Sequence, residues 1–163
     1  MLDSSIIDYD LIISFGYRHI IKKEFINRLN IPIINLFISY LPWNKGSHPN
    51  FWSFIDRTPA GVSIHLIDIG IYTGQILFQK YVNFEDSELT FRDTYKTLIY
   101  EIENLFKSNI QYIVSGNYSL KPQVLKGSYH QKIELPKQFA GWDSNIEEKI
   151  ERLYKILKKD RNQ

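Results

Sequence analysis

INLFISYLPWNKG, Ile34 to Gly46, decides how the rest of the chain is read. Ile33 to Ile38 is a short, strongly apolar run behind Pro32, the pattern of a buried strand. Asn35 interrupts that run, and Ser39, Trp43, Asn44 and Lys45 crowd its exit. A polar group inside a buried strand needs a partner. A polar loop at a strand end is where α/β sheets hold ligands. Phe37 stands two residues after Asn35 and therefore on the same strand face. The stretch has the outline of a site mouth, with a phenyl ring where a proton carrier would serve.

The sequence around it is organised to bury that strand. YDLIISFG, ended by Gly16, reads as a preceding strand buried on both faces. Between them, IKKEFINRLN places Ile21, Phe25, Ile26 and Leu29 on one helical stripe. HPNFWSFID reads as a short helix with Pro49 in its first turn. GVSIHLID and QILFQKYV read as two strands joined by IGIYTG. Asp93 to Ser115 keeps helical spacing through Leu98, Ile102, Leu105 and Ile113, and Gly116 is a natural stop. NYSLKPQVLKGSYHQ reads as loop with at most one short strand. GWDSNIEE opens a last helix, with Ser144 and Glu147 as its expected capping box. The succession predicts an α/β fold with a mostly parallel sheet flanked by helices. The loops after Ser14 and after Ile38 are then the places for a ligand.

At 163 residues the chain is expected to form a single domain over 1–163. Its core spans about 9–82 and a helical C-terminal part about 90–160. Apolar residues at 44% suffice for an ordinary core. A net charge of +2 is too small to argue for nucleic acid, and the basic pairs Lys22–Lys23 and Lys158–Lys159 read as solvated helix faces. The absence of cysteine excludes disulfides and thiolate metal sites, and no metal site is expected. MLDSSIIDYD has neither a basic leader nor a long apolar run, so the expectation is a cytoplasmic protein without a membrane span. Aromatics at 15% suit either an aromatic core or a binding cleft, and core is the expected use of Trp52.

Three stretches, IISFGYRHII, INLFISYLPWNKGSHPNFW and GVSIHLIDIGIYTGQIL, resemble in order the family of 10-formyltetrahydrofolate-dependent formyltransferases. GSYHQKIEL and GWDSNIEE are similar to tail segments of its short members, which formylate amino sugars on nucleotide carriers. Methionyl-tRNA formyltransferase is a more distant likeness. The resemblance implies a truncated Rossmann-like formyltransferase domain, α/β with a mostly parallel sheet, and it implies acyl transfer: an amine attacks a formyl carbon, and the site must stabilise an oxyanion and move protons. It also implies a triad of an Asn and a His two apart on one strand, with an Asp in a later Asp-Thr-Gly loop. Asn35 matches the Asn. Phe37 occupies the His position and Tyr72 the Asp position, so the expected activity is low or absent. Ile69 and Gln75 stand where such loops often carry acids, and IGIYTGQ has no charge. His65 and Asp68 accompany the triad in the family pattern, which makes them poor replacements for its lost members.

By the same resemblance, the folate side comprises Phe15, Gly16, Arg18 and Ile20 with Leu66, Asp68, Gly70 and Tyr72. The substrate side comprises Trp43, Asn44, Lys45, Gly46 and His48, with Lys45 suited to a phosphate. The formyl donor would be 10-formyltetrahydrofolate and the acceptor a nucleotide-linked amino sugar. Family members place further β–α units before DLIIS, so an exposed sheet edge is expected, covered by a homodimer or by MLDSSIID folding back. The functional alternatives are an N-formyltransferase and a related protein that binds a ligand or partner without chemistry. A fragment with no function of its own is a weaker third.

Overall fold

The computed structural model describes residues 9–29, 31–70, 73–85, 89–137, 139 and 141–161. Tyr72, the segment 1–8 and the side chains of Lys158 and Lys159 lie outside the described residues. The elements run β1 (Ile12–Phe15), α1 (Lys23–Arg28), β2 (Ile33–Phe37), β3 (Lys45–Gly46), α2 (Pro49–Ile55), β4 (Gly61–Leu66) and β5 (Ile76–Tyr81). They continue with α3 (Phe91–Val114), β6 (Tyr129–His130), a 3₁₀ turn at Lys132–Glu134, and α4 (Ile146–Arg161).

Four strands form one sheet in the order β1-β2-β4-β5. The α/β class is as expected, but the strand directions are not mostly parallel. β1 and β2 are parallel, whereas β2–β4 and β4–β5 are antiparallel. The reason lies in α2. A parallel pair needs a crossover helix laid on the sheet. α2 instead packs on α3 and α4, so the chain returns to the sheet in the opposite sense. β4 and β5 then pair directly through the segment 67–75.

Two cores result. α3 covers one face of the sheet, burying Ile34, Leu36, Val62, Ile64 and Leu77 against Leu98, Ile102 and Ile113. α2, α3 and α4 enclose a second core of Phe51, Trp52, Ile55, Phe91, Ile146 and Leu153. This second core takes up many of the aromatics. Trp52 is 1% exposed and stacks on His130 at 4.0 Å with rings 6° apart. His130 Nε2 meets Asp56 at 2.7 Å and so ties the β6 segment to the end of α2.

Three local expectations need correction. β1 is not buried on both faces: Ile13 and Phe15 are 43% and 44% exposed. They lie in register with Ile34 and Leu36, but α3 packs over β2, β4 and β5. α3 begins at Phe91, because Thr90 and Asp93 form a reciprocal capping box. α4 starts one residue later than its sequence suggests: the Asn145 side chain, not Ser144, accepts from the Glu148 amide at 3.1 Å.

Candidate functional site

The strand registers place Ser14, Asn35 and His65 in one row across β1, β2 and β4. Successive residues alternate faces, so this row points away from α3, as does Phe37. A cleft of about 120 Å³ lies over the row. The loop after β1 contributes Tyr17, His19 and Ile20, and the loop after β4 contributes Leu66, Asp68 and Gly70. The loop after Ile38 does not line it. Because β4 runs antiparallel to β2, the chain leaving β4 emerges beside Ile33 and Ile34, and the Ile67 amide donates to the Ile33 carbonyl at 2.8 Å. The expected position beyond the carboxyl end of β2 presumed that its neighbour β4 is parallel too.

Asn35 Nδ2 lies 3.1 Å from His65 Nε2, and His65 Nδ1 lies 2.7 Å from the Leu66 carbonyl oxygen. His65 is 2% exposed, and burial lowers its pKa to about 4; Asp68 opposes that shift and Lys45 adds to it. The ring is therefore neutral at neutral pH. Stability should follow. Above about pH 6.5 the ring is neutral folded and unfolded alike, and stability is at its full value. As pH falls from 6.5 towards 4 the unfolded chain takes up the proton first, and stability drops by on the order of 3 kcal/mol. Urea titrations across that range should show this slope in the parent and a shallower one in His65→Gln.

Phe37 is buried in a small cluster with Leu41 and Ile76 and meets the His65 ring edge-on, centroids 6.3 Å apart. Beside it, Ser63 Oγ donates to the Ser39 carbonyl at 2.7 Å and accepts from the Leu41 amide at 3.1 Å. Gln79 Nε2 donates to the Leu41 carbonyl at 2.7 Å. The turn leaving β2 is thus fixed by buried polar groups. Asp68 Oδ1 accepts from the Gly70 amide at 3.0 Å and from Thr73 Oγ1 at 2.6 Å, which pins the loop on either side of Tyr72. Gly74 closes that loop: a Cβ there would stand 1.7 Å from the Leu66 carbonyl oxygen.

Of the folate-side residues, Ile20, Leu66, Asp68 and Gly70 line the cleft; Phe15, Gly16 and Arg18 are not part of its lining. The substrate-side residues separate by role. Asn44 is 1% exposed with φ 50°, and its Nδ2 donates to Thr58 at 2.8 Å while its Oδ1 accepts from Ser128. Gly46 has φ 92°, and a Cβ there would meet the His130 carbonyl at 2.2 Å. Both are committed to joining β3 and β6. Lys45 and His48 are half-buried, which lowers the pKa of each, and Lys132 lowers that of His48 further. The His48 ring stands 5.4 Å from Trp142. Trp43 is half-buried, and its amide donates to the Tyr40 carbonyl. Sequence reasoning set His65 aside as a poor replacement for a lost triad member and did not pair it with Asn35. Its signal was present: like Asn35, it is a polar residue in the middle of a buried strand.

A family described as formyl transferase matches residues 5–106. The chain belongs to the formyl transferase family. This formyltransferase chain is similar to the solved structure of PseJ from Anoxybacillus kamchatkensis, a formyltransferase in complex with UDP-4,6-dideoxy-4-formamido-L-AltNAc and tetrahydrofolate. The TM-score is 0.84 at 41% identity, covering 92% of this chain and 82% of that one. It is 28% identical over 141 residues to methionyl-tRNA formyltransferase of Clostridium novyi (strain NT), covering 85% of this chain and 45% of that protein. It is 33% identical over 85 residues to GDP-perosamine N-formyltransferase of Brucella melitensis, covering 52% and 33%. The chain thus spans less than half the length of these two curated relatives.

Proposed function

We propose that this formyltransferase chain binds a tetrahydrofolate and a nucleotide-linked amino sugar, and that it transfers a formyl group very slowly or not at all. The observation that carries this is Phe37: beside Asn35, at the family His position, stands a buried phenyl ring packed on Leu41 and Ile76. A phenyl ring neither donates nor relays a proton. His65 does not replace the missing group, because burial holds its pKa at about 4 and its Nδ1 faces the Leu66 carbonyl. A non-catalytic ligand-binding role is the limiting form of the same reading.

The cleft fits a flat heteroaromatic ligand. Ile20, Leu66 and Ile67 supply apolar walls, and Ser14, Asn35 and Asp68 supply polar atoms at the edge. We assign the folate side to Ile20, Leu66, Asp68 and Gly70, flanked by Phe15, Gly16, Arg18 and Tyr72. When bound, 10-formyltetrahydrofolate supplies an activated formyl group. On the substrate side, Lys45 offers a cation within electrostatic reach of His65, Trp43 and His48 offer ring faces, and Asn44 and Gly46 hold the turn. No helix among the described residues is long and apolar enough to cross a membrane. A cytoplasmic location is part of the proposal, and the absence of cysteine is compatible with a reducing compartment. Calorimetric titration with 5-formyltetrahydrofolate tests the reading. Saturable binding that weakens in Asn35→Leu is expected; no heat at any concentration would contradict it.

The same reading includes a homodimer. Among the described residues no strand pairs with the outer edge of β1, and Ile13 and Phe15 add exposed apolar surface there. A symmetric contact would cover both. Sedimentation at micromolar concentration should give a dimer, weakened by Ile13→Lys. A clean, thermally cooperative monomer would refute it.

A further inference from the structure

The pair Asn35–His65 has a property that neither residue has alone. An asparagine carboxamide presents two donors on one side and an acceptor on the other, and turning it over exchanges them. Nothing in the strand backbone decides which way it faces. His65 decides it by a chain of fixed roles. The Leu66 carbonyl oxygen, 2.7 Å from Nδ1, only accepts, so Nδ1 carries the proton. In the neutral ring Nε2 then holds a lone pair and only accepts. Nε2 is 3.1 Å from the Asn35 carboxamide, so the group facing it must be Nδ2. Oδ1 and the second N–H of Asn35 are thereby directed away from the ring. His65 is 2% exposed, which keeps its ring nitrogens from exchanging partners freely with water. Both side chains belong to the lining of the same cleft, where Asn35 is half-buried.

We infer that His65 is a positioning residue, which fixes the orientation of the Asn35 carboxamide and so sets the donor and acceptor that the cleft offers a ligand. The ligand part of this rests on the reading of the cleft given above. Burial keeps the ring neutral, and among the described residues the charged groups that act on it include Asp68 from the loop after β4 and Lys45 from β3, with opposite effects. A protonated ring would donate from both nitrogens. It would then oppose Nδ2 and favour Oδ1, turning the carboxamide over. The edge-on Phe37 ring carries no titrating group that could compete for Nε2.

The inference is tested first without any ligand. NMR of the isotope-labelled full chain at pH 7 should show His65 in the Nδ1-protonated tautomer, with Asn35 side-chain amide signals displaced from those of exposed asparagines. The Asn35 signals are assigned by their loss in Asn35→Leu. His65→Leu removes the acceptor and should move the Asn35 signals towards solvent values. His65→Gln keeps an acceptor of similar reach and should return them. Affinity for 5-formyltetrahydrofolate should fall about tenfold in His65→Leu, the order of one lost hydrogen bond, and recover most of that in His65→Gln. An Nε2-protonated tautomer in the free protein, or Asn35 signals unmoved by both substitutions, would overturn the inference. If His65→Leu does not fold, the tautomer of the parent and the Gln variant decide it. If the parent binds no 5-formyltetrahydrofolate while the tautomer and amide signals are as stated, the positioning stands and the functional reading falls.

Discussion

Phe37→His combined with Tyr72→Asp is expected to raise the rate of formyl transfer by on the order of 10²–10⁴ over the unmodified chain. The scaffold for that gain is in place. Asn35 is held by His65, the turn after β2 is fixed by Ser63 and Gln79, and Asp68 holds Thr73 beside the second position. On the proposed reading, the groups replaced at Phe37 and Tyr72 are the ones that would handle protons. Either substitution alone should recover little, because such groups act as a unit. Phe37→His alone also puts an imidazole among Leu41 and Ile76, where an unpaired polar group costs about 1–3 kcal/mol. Product mass measured over time for the parent, both single variants and the double variant checks this. A double variant that is folded and binds folate, yet no faster than the parent, would show that more than two groups are missing.

Trp52→Ala is expected to destabilise the fold by about 3–5 kcal/mol. Trp52 is 1% exposed, packs edge-on to Phe51 at 5.0 Å and stacks on His130. Its loss would open a cavity where α2, α3 and α4 meet and remove the face against which His130 rests. That histidine links the β6 segment to Asp56, and β6 in turn pairs with β3, which carries Lys45. Total stability of a domain is typically about 5–15 kcal/mol. The variant should therefore melt lower by on the order of 10 °C and lose order around Lys45 first. A thermal scan that shifts by less than a degree or two would mean that the aromatic core is not the prop of the substrate side.

Much of this was legible in the sequence because the decisive signals are local. The apolar run broken by Asn35, the alternation in GVSIHL, Pro49 at a helix start and the long stripe of α3 each report on a few neighbouring residues. Strand direction is not such a signal. It depends on where α2 packs, and that follows from Phe51 and Trp52 finding Phe91 and Leu153 far along the chain. The antiparallel β4 moved the cleft onto the row Ser14–Asn35–His65, which paired Asn35 with a histidine thirty positions away. Motif order is what assigns Asn35, Phe37 and Tyr72 to the family's triad positions, and that assignment is part of the proposal. That Phe37 is buried against Leu41 and Ile76 was not legible in the sequence, since it depends on the β2–β4–β5 register.

The central claim is that the site keeps its binding geometry while lacking the groups that move protons at Phe37 and Tyr72. The most direct test is a single-turnover reaction with excess protein, 10-formyltetrahydrofolate and a panel of nucleotide-linked amino sugars, followed by product mass. The account predicts a rate at least about a thousandfold below 1 s⁻¹, with both ligands bound. N-formyl product appearing at about 1 s⁻¹ or faster would contradict it.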